Sequence, residues 1–215
     1  MNSQQSLEKI HQGVARFETE VYPGQRAVFE GLKDRQQPIA LFITCADSRI
    51  VSSLITQTAP GEMFVERNPG NLVPVCGPFV GGLSASVEYA MQVLKVPLVI
   101  ICGHTDCGVM KAVLHPEGAK DLPAVRQWMR HAADARKQLL RESALASQSE
   151  DEQLRLLTQY NVLLQVENLK THLSVASRLA AGEVEIRGWV YDIASGSAWE
   201  ADPHSGEFKK VGVGV

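Results

Sequence analysis

The sequence predicts an α/β fold in which a central, mostly parallel sheet carries an added antiparallel edge strand, is flanked by helices and follows an N-terminal helical arm. Three strand-length apolar runs rich in β-branched residues are each followed by a segment with helical periodicity, which indicates βαβ units. The run PLVIICGH is continuously apolar, as is typical of a parallel strand buried on both faces. Near the carboxyl end, strand-like stretches flank the turn signal ASGS and predict a hairpin at a sheet edge.

The elements follow one another in a simple order along the chain. A helical arm is predicted over residues 1–33, and long helices with wide apolar faces over 121–181 can cover the sheet or a neighbouring subunit. The hairpin lies in VEIRGWVYDIASGSAWEADP, after those helices. The intervening strands are predicted over 39–45, 63–68 and 97–104, and the helices that follow them over 48–57, 81–95 and 106–114.

The chain of 215 residues is long enough for one substantial hydrophobic core, and no Ser/Gly-rich or Pro-rich linker divides it. We therefore predict a single domain over 1–215. Its parts are the N-terminal helical arm, residues 1–35, an α/β core, residues 36–120, and a helical and C-terminal edge-strand region, residues 121–215.

The charge balance argues against nucleic-acid and membrane partners. The chain has 21 basic and 24 acidic residues, a net charge of −3, and no cluster of Lys or Arg. No segment approaches the roughly eighteen consecutive apolar residues of a membrane-spanning helix, and the amino terminus has no apolar signal region. We expect a cytoplasmic protein whose partners are a small-molecule substrate and further copies of itself.

Three polar loops, CADSR, RNPGN and GHTDCG, follow the three predicted strands and should meet at one edge of the sheet. His104 and Cys107 stand three residues apart, and Cys45 ends another strand. Zn²⁺ suits mixed thiolate and imidazole ligands, and three protein ligands leave a fourth position for water, as in catalytic zinc sites. Cys107 is predicted in the first turn of a helix after Thr105 or Asp106 as N-cap, where the helix dipole favours its thiolate.

The other cysteines and histidines fit a metal site less well. Cys102 is an alternative ligand near His104, but its place inside an apolar run favours a small buried hydrophobe. Cys76 has no recognisable partner and is predicted to be structural. The remaining histidines lie in polar contexts and are predicted at the surface, with His115 a candidate proton relay: His11, His115, His131, His172 and His204.

Asp47 and Arg49 have two interpretations. Asp47 or Ser48 can N-cap the following helix, with Arg49 pairing to any nearby carboxylate. Alternatively, because Asp47 is two residues from Cys45, it can orient water on the zinc while Arg49 keeps it ionised through a charge-assisted contact. Two thiolates cancel the charge of Zn²⁺, so water there is acidified less than at a three-histidine site, and activity should rise toward mildly alkaline pH.

The motifs CADSR, RNPGN and GHTDCG, in this order and spacing, resemble those of the β-class carbonic anhydrases, and the resemblance extends over nearly the whole chain to the bacterial and plant-type branch with the type I active site. It implies Zn²⁺ held by Cys45, His104 and Cys107, with Asp47 and Arg49 as a catalytic dyad. The implied reaction is the reversible hydration of CO₂ to bicarbonate and a proton by zinc-bound hydroxide.

The resemblance also implies a substrate pocket formed largely across a dimer interface. Its glutamine, phenylalanine and tyrosine correspond to Gln36, Phe64 and Tyr89, and the backbone N–H of Gly108 can hold a substrate oxygen. Phe64 and Tyr89 can equally be core aromatics. The proline of RNPGN replaces the alanine usual in that loop.

A second branch of the family has an inhibitory bicarbonate site built from tryptophan, arginine and tyrosine. The tryptophan position is Phe42 here, while Arg67 corresponds to the arginine, so the set is incomplete and we expect Asp47 to pair with Arg49 instead of ligating the metal. A homodimer that assembles further to a tetramer is expected. The alternative functions are hydrolysis of CS₂ or COS on the same scaffold and a non-catalytic zinc or thiol module.

Overall fold

The computed structural model describes residues 1–77, 81–142 and 144–212, which form two compact units, Met1–Gln37 and Pro38–Val215. The grouping of the whole chain into one domain therefore stays a prediction. The amino-terminal unit consists of helix α1, Ser3–Arg16, a π-helical turn, Phe17–Val21, and helix α2, Tyr22–Leu32. Its first helix begins at a capping box, because Asn2 and Gln5 each accept a hydrogen bond from the other's backbone N–H.

The second unit is built on a six-stranded sheet with the order β2-β1-β3-β4-β5-β6. The first four strands along the chain are mutually parallel where they pair, and the last two are antiparallel, which confirms the predicted mostly parallel sheet with an antiparallel edge. The strands are β1, Ala40–Cys45, β2, Met63–Asn68, β3, Leu98–His104, β4, Glu185–Asp192, β5, Ser197–Ala201, and β6, Phe208–Lys210.

Seven α-helices accompany this sheet among the described residues of the second unit. They are α3, Ser52–Thr56, α4, Gly82–Gln92, α5, Gly108–Leu114, α6, Pro123–Trp128, α7, Ala133–Leu139, α8, Glu150–Lys170, and α9, Leu173–Ala180. One apolar cluster unites residues of β1 and β3 with α4 and α9, and a second unites α5, α7 and α8 with Cys45 at the end of β1.

Helix α8 lies unusually close to the sheet because two strand positions opposite it are glycines. A Cβ atom on Gly103 or on Gly188 would lie 2.8 Å from a methyl group of Val162. A side chain at either position would therefore force the helix away from the strands that carry the polar loops.

One helix boundary and one helical segment differ from the sequence-based predictions. Helix α3 begins at Ser52 with Val51 as N-cap, so Asp47 and Ser48 do not cap it. Between α7 and α8, the described residues form turns and a short 3₁₀-helix, and Ser143 of the predicted segment 121–181 lies outside the described residues. The sequence did not distinguish these turns from helix starts, because the same polar residue types are common in both.

Candidate metal centre

The carboxyl ends of β1 and β3 bring Cys45 and His104 together, since both are the last residues of adjacent parallel strands. Cys107 follows three residues after His104 as the N-cap of α5. One ligand atom from each of the three lies within 4.8 Å of the others, and all three residues are buried. The two sulfur atoms are 4.0 Å apart. The structure thus assembles the predicted Cys/His/Cys set in one place.

The imidazole of His104 is oriented by its own loop. Nδ1 lies 2.8 Å from the carbonyl oxygen of Thr105, which makes Nδ1 the donor and leaves Nε2 as the acceptor. Nε2 is fully buried and has no hydrogen-bond partner among the described residues. A buried nitrogen lone pair directed toward two sulfur atoms fits a metal ion that accepts tetrahedral nitrogen and sulfur ligands, which is the chemistry of Zn²⁺.

The sulfur atoms of Cys45 and Cys107 influence each other's ionisation. The adjacent Cys107 thiol, together with the backbone N–H of Gly70, lowers the pKa of Cys45. The neighbouring Cys45 sulfur and burial raise the pKa of Cys107. The Gly70 N–H lies 3.3 Å from the Cys45 sulfur. The opposite directions of these two pKa shifts favour the thiolate at Cys45, and a divalent cation bound there would favour ionisation of the second thiol.

Asp47 and Arg49 form a two-bond ion pair beside these ligands. Arg49 donates from Nε to Oδ1 at 3.0 Å and from Nη2 to Oδ2 at 2.7 Å, and its backbone N–H also donates to Oδ1. These hydrogen bonds hold the pKa of Asp47 well below its usual range. Oδ2 lies 3.9 Å from Nε2 of His104. The carboxylate therefore stays ionised next to the three ligand atoms.

Arg67 supports this loop in a way that the sequence did not indicate. Its Nε donates to the carbonyl oxygen of Cys45 at 3.2 Å, and its Nη2 donates to the carbonyl oxygen of Asp47 at 2.6 Å. Arg67 pairs with Thr44 in the strand register, so it can reach the loop after β1. That register is the signal that would have indicated its role.

A cavity of about 420 Å³ opens beside the ligands and the carboxylate. Its polar side contains Cys45, Asp47 and Gly108, and its other wall is apolar. The apolar wall consists of Pro69, Val109, Ala112, Ala119, Leu122 and Val125, with Ala46 and Gly118 completing the lining. A volume of this size suits a small molecule, and an apolar wall facing a polar cluster suits a substrate with little polarity.

The remaining predicted pocket residues lie elsewhere in the single chain. The rings of Phe64 and Tyr89 pack on each other with centroids 5.9 Å apart, and neither lines the 420 Å³ cavity. Tyr89 is 44% exposed, while Phe64 packs against the core beneath α4. Gln36 belongs to the amino-terminal unit. Their participation in a substrate pocket stays a prediction.

The cysteines and histidines outside the ligand set differ in their burial. Cys102 is buried inside β3, where burial raises its pKa to about 12, as predicted for a small hydrophobe. Cys76 is exposed. The surface prediction for His172 is wrong, because His172 is buried with Nε2 2.9 Å from the carbonyl oxygen of Pro74. Asp106 and Thr105 do not cap α5, since Cys107 is its N-cap.

Phe42 is fully buried in β1 and packs edge-on against Trp189, with ring centroids 6.4 Å apart. The position that carries tryptophan in the regulated branch is therefore core here.

Among the described helices, none has both the length and the apolar character needed to cross a bilayer.

Comparisons with known proteins agree with this geometry. The family model described as carbonic anhydrase matches residues 40–198. A carbonic anhydrase of Pseudomonas aeruginosa is 46% identical over 202 residues, which cover 94% of this chain and 90% of that protein. The solved structure of the β-carbonic anhydrase CcaA has a TM-score of 0.91 at 33% identity and covers 96% of this chain and 92% of its own. A Coccomyxa β-carbonic anhydrase in complex with acetazolamide has a TM-score of 0.79 at 29% identity, with coverages of 90% and 85%.

Proposed function

Because the chain belongs to the β-class carbonic anhydrase family, we propose that it catalyses the reversible hydration of CO₂ to bicarbonate and a proton. The observation that carries the proposal is the meeting of three buried ligand atoms within 4.8 Å of one another beside an ionised Asp47. The 420 Å³ cavity with an apolar wall gives a nonpolar gas a place next to that cluster.

Cys45, His104 and Cys107 are the residues that would hold Zn²⁺. Two sulfur ligands, one correctly oriented imidazole and a buried nitrogen without a protein partner match the ligand preferences of this ion. Zn²⁺ bound there would supply Lewis acidity that lowers the pKa of water.

Asp47 orients the water molecule that reacts, and Arg49 holds Asp47 in place. The Asp47 carboxylate is an acceptor for a hydrogen bond from water entering the space beside His104, because its Oδ2 lies 3.9 Å from Nε2. Arg49 occupies both carboxylate oxygens with directed N–H groups, so Asp47 keeps one orientation and does not take up a proton. Arg49 also offsets the negative charge that would oppose formation of hydroxide.

We assign substrate binding to residues from several parts of the chain. Gly108 lines the cavity at the start of α5, and its backbone N–H is the donor that we assign to a substrate oxygen. We assign Gln36, Phe64 and Tyr89 to the apolar and amide part of the pocket through a homodimer that assembles to a tetramer, working in the cytoplasm. The alternatives, hydrolysis of CS₂ or COS and a non-catalytic module, gain no support from the matches.

The test is CO₂ hydration by stopped flow on purified protein with its zinc quantified, with CS₂ as a parallel substrate. We expect activity in proportion to zinc, and inhibition by acetazolamide, which binds the Coccomyxa enzyme. Cys45→Ser should lose both zinc and activity, whereas Cys76→Ser, at an exposed cysteine, should lose neither. Zinc-loaded wild-type protein without CO₂ hydration would refute the proposal.

A further inference from the structure

We infer that Asp106 is a positioning residue that ties Arg49 to the loop between His104 and Cys107 and thereby keeps Asp47 out of the space between the three ligands. The inference rests on the proposed function, since it concerns how that site is held ready. Asp106 is not itself placed to touch substrate, because the cavity beside the ligands is lined by Asp47 and Gly108 without it.

The contacts of Arg49 carry the inference. One edge of the guanidinium, Nε and Nη2, is occupied by the two oxygens of Asp47. The other edge is held by Asp106, because Nη1 donates to its Oδ2 at 2.7 Å and Nη2 donates to its carbonyl oxygen at 3.1 Å. The guanidinium is thus fixed between two loops that follow different strands.

The backbone of Asp106 is shaped for this contact. Its φ of 59° lies in the left-handed region, which is costly for most residues and tolerated by aspartate and asparagine. In this conformation both the carboxylate and the carbonyl oxygen reach the same guanidinium. The left-handed backbone of Asp106 and its double contact with Arg49 therefore occur together in this loop.

Lys111 balances the charge on the outer side of Asp106. Its ammonium group pairs with Oδ1, while Arg49 takes Oδ2. Asp106 therefore holds Arg49 with a charge-assisted bond even though half of its side chain is exposed.

Loss of Asp106 would leave Arg49 bound to Asp47 alone. The ion pair could then move as one body, because nothing else among the described contacts of the Arg49 side chain ties it to the second loop. Asp47 needs little movement to enter the ligand space, since its Oδ2 is already 3.9 Å from His104 Nε2. An aspartate that takes the open ligand position would exclude water from it.

The test compares Asp106→Gly, Asp106→Asn and the control Lys137→Ala in the metal-loaded enzyme; Lys137 forms an exposed ion pair with Asp134 that has no part in the metal centre. Glycine accepts the left-handed backbone without strain and removes the carboxylate, whereas asparagine keeps both the backbone preference and an oxygen acceptor for Nη1. We expect Asp106→Gly to lower kcat about 10–100-fold with little change in KM, as for other groups that orient a metal site. Asp106→Asn should recover most of the loss, and Lys137→Ala should behave as wild type.

A second readout is independent of turnover. In the cobalt-substituted protein, the visible spectrum should change in Asp106→Gly, and adding Asp47→Ala should reverse that change if Asp47 is the new ligand. An unchanged spectrum in Asp106→Gly, or one that Asp47→Ala does not reverse, overturns the inference. Equal kcat values in wild type and Asp106→Gly overturn it as well. Absence of CO₂ hydration in the wild type refutes the proposed function instead, and the cobalt spectrum still decides the role of Asp106.

Discussion

Replacement of Gly70 by alanine is expected to destabilise the protein strongly. Gly70 is buried with φ of 78°, and an added Cβ would lie 2.8 Å from Cγ1 and 3.0 Å from Cβ of Val109. The left-handed backbone costs a residue with a Cβ about 1–2 kcal/mol. Overpacking a filled site typically costs about 1–3 kcal/mol more. The free energy of unfolding should therefore fall by about 2–5 kcal/mol.

The same replacement should weaken the metal site. The backbone N–H of Gly70 donates to the Cys45 sulfur, and Asn161 in turn donates to the Gly70 carbonyl oxygen. A shift of this turn away from Val109 moves the donor off the thiolate. We expect zinc affinity to fall about 10–100-fold, the usual effect of losing a group that supports a metal ligand.

Gly182→Ala is the matched control, because Gly182 has φ of 69° but no atom within 4 Å of an added Cβ. It should show only the backbone cost of about 1–2 kcal/mol. The assay is urea unfolding at one protein concentration, since oligomer formation couples to stability, together with zinc competition against a chromophoric chelator. The reasoning is refuted if the two alanine variants are equally destabilised. It is also refuted if Gly70→Ala costs as much in a Val109→Ala background as in the wild type.

Three further outcomes test the proposed site. Asp47→Ala should retain zinc while CO₂ hydration falls about 10–100-fold, the usual effect of losing a group that orients a metal site; loss of zinc would instead indicate a structural role. The hydration rate should rise from about pH 6 to pH 9, because two thiolates cancel the charge of Zn²⁺, and a flat profile would contradict this. Removal of the metal with a chelator should abolish hydration and Zn²⁺ should restore it, whereas Mg²⁺, which prefers oxygen ligands, should not.

The sheet could be predicted because each strand has a hydrophobic pattern that is visible within its own short segment of sequence. The strand β3 is largely an apolar run, and its two faces pack into two different apolar clusters. Parallel strands end at one edge, so the meeting of Cys45 with His104 follows from strand assignment alone. The candidate ligands were accessible to the same reasoning, since each stands at or just after a strand end.

The supporting groups could not be predicted because they depend on register and loop geometry. Arg67 reaches the loop after β1 only because β2 pairs with β1 in one particular register. Asp106 faces Arg49 only because its backbone is left-handed, and the local pattern instead resembled a helix cap. The Asp47 carboxylate satisfied the cap pattern equally well, but its oxygens are used by Arg49. Local sequence patterns do not distinguish these partners.

Most charged groups around the site are balanced by a neighbour of opposite charge. Two thiolates would cancel a divalent cation, while Arg49 balances Asp47 and Lys111 balances Asp106. Arg67 pairs with no carboxylate in the described part of the chain and donates only to the carbonyl oxygens of Cys45 and Asp47. One positive charge is thus left at the end of β2, close to the backbone that carries the first ligand. In the proposed reaction, this charge would attract bicarbonate and would not attract neutral CO₂.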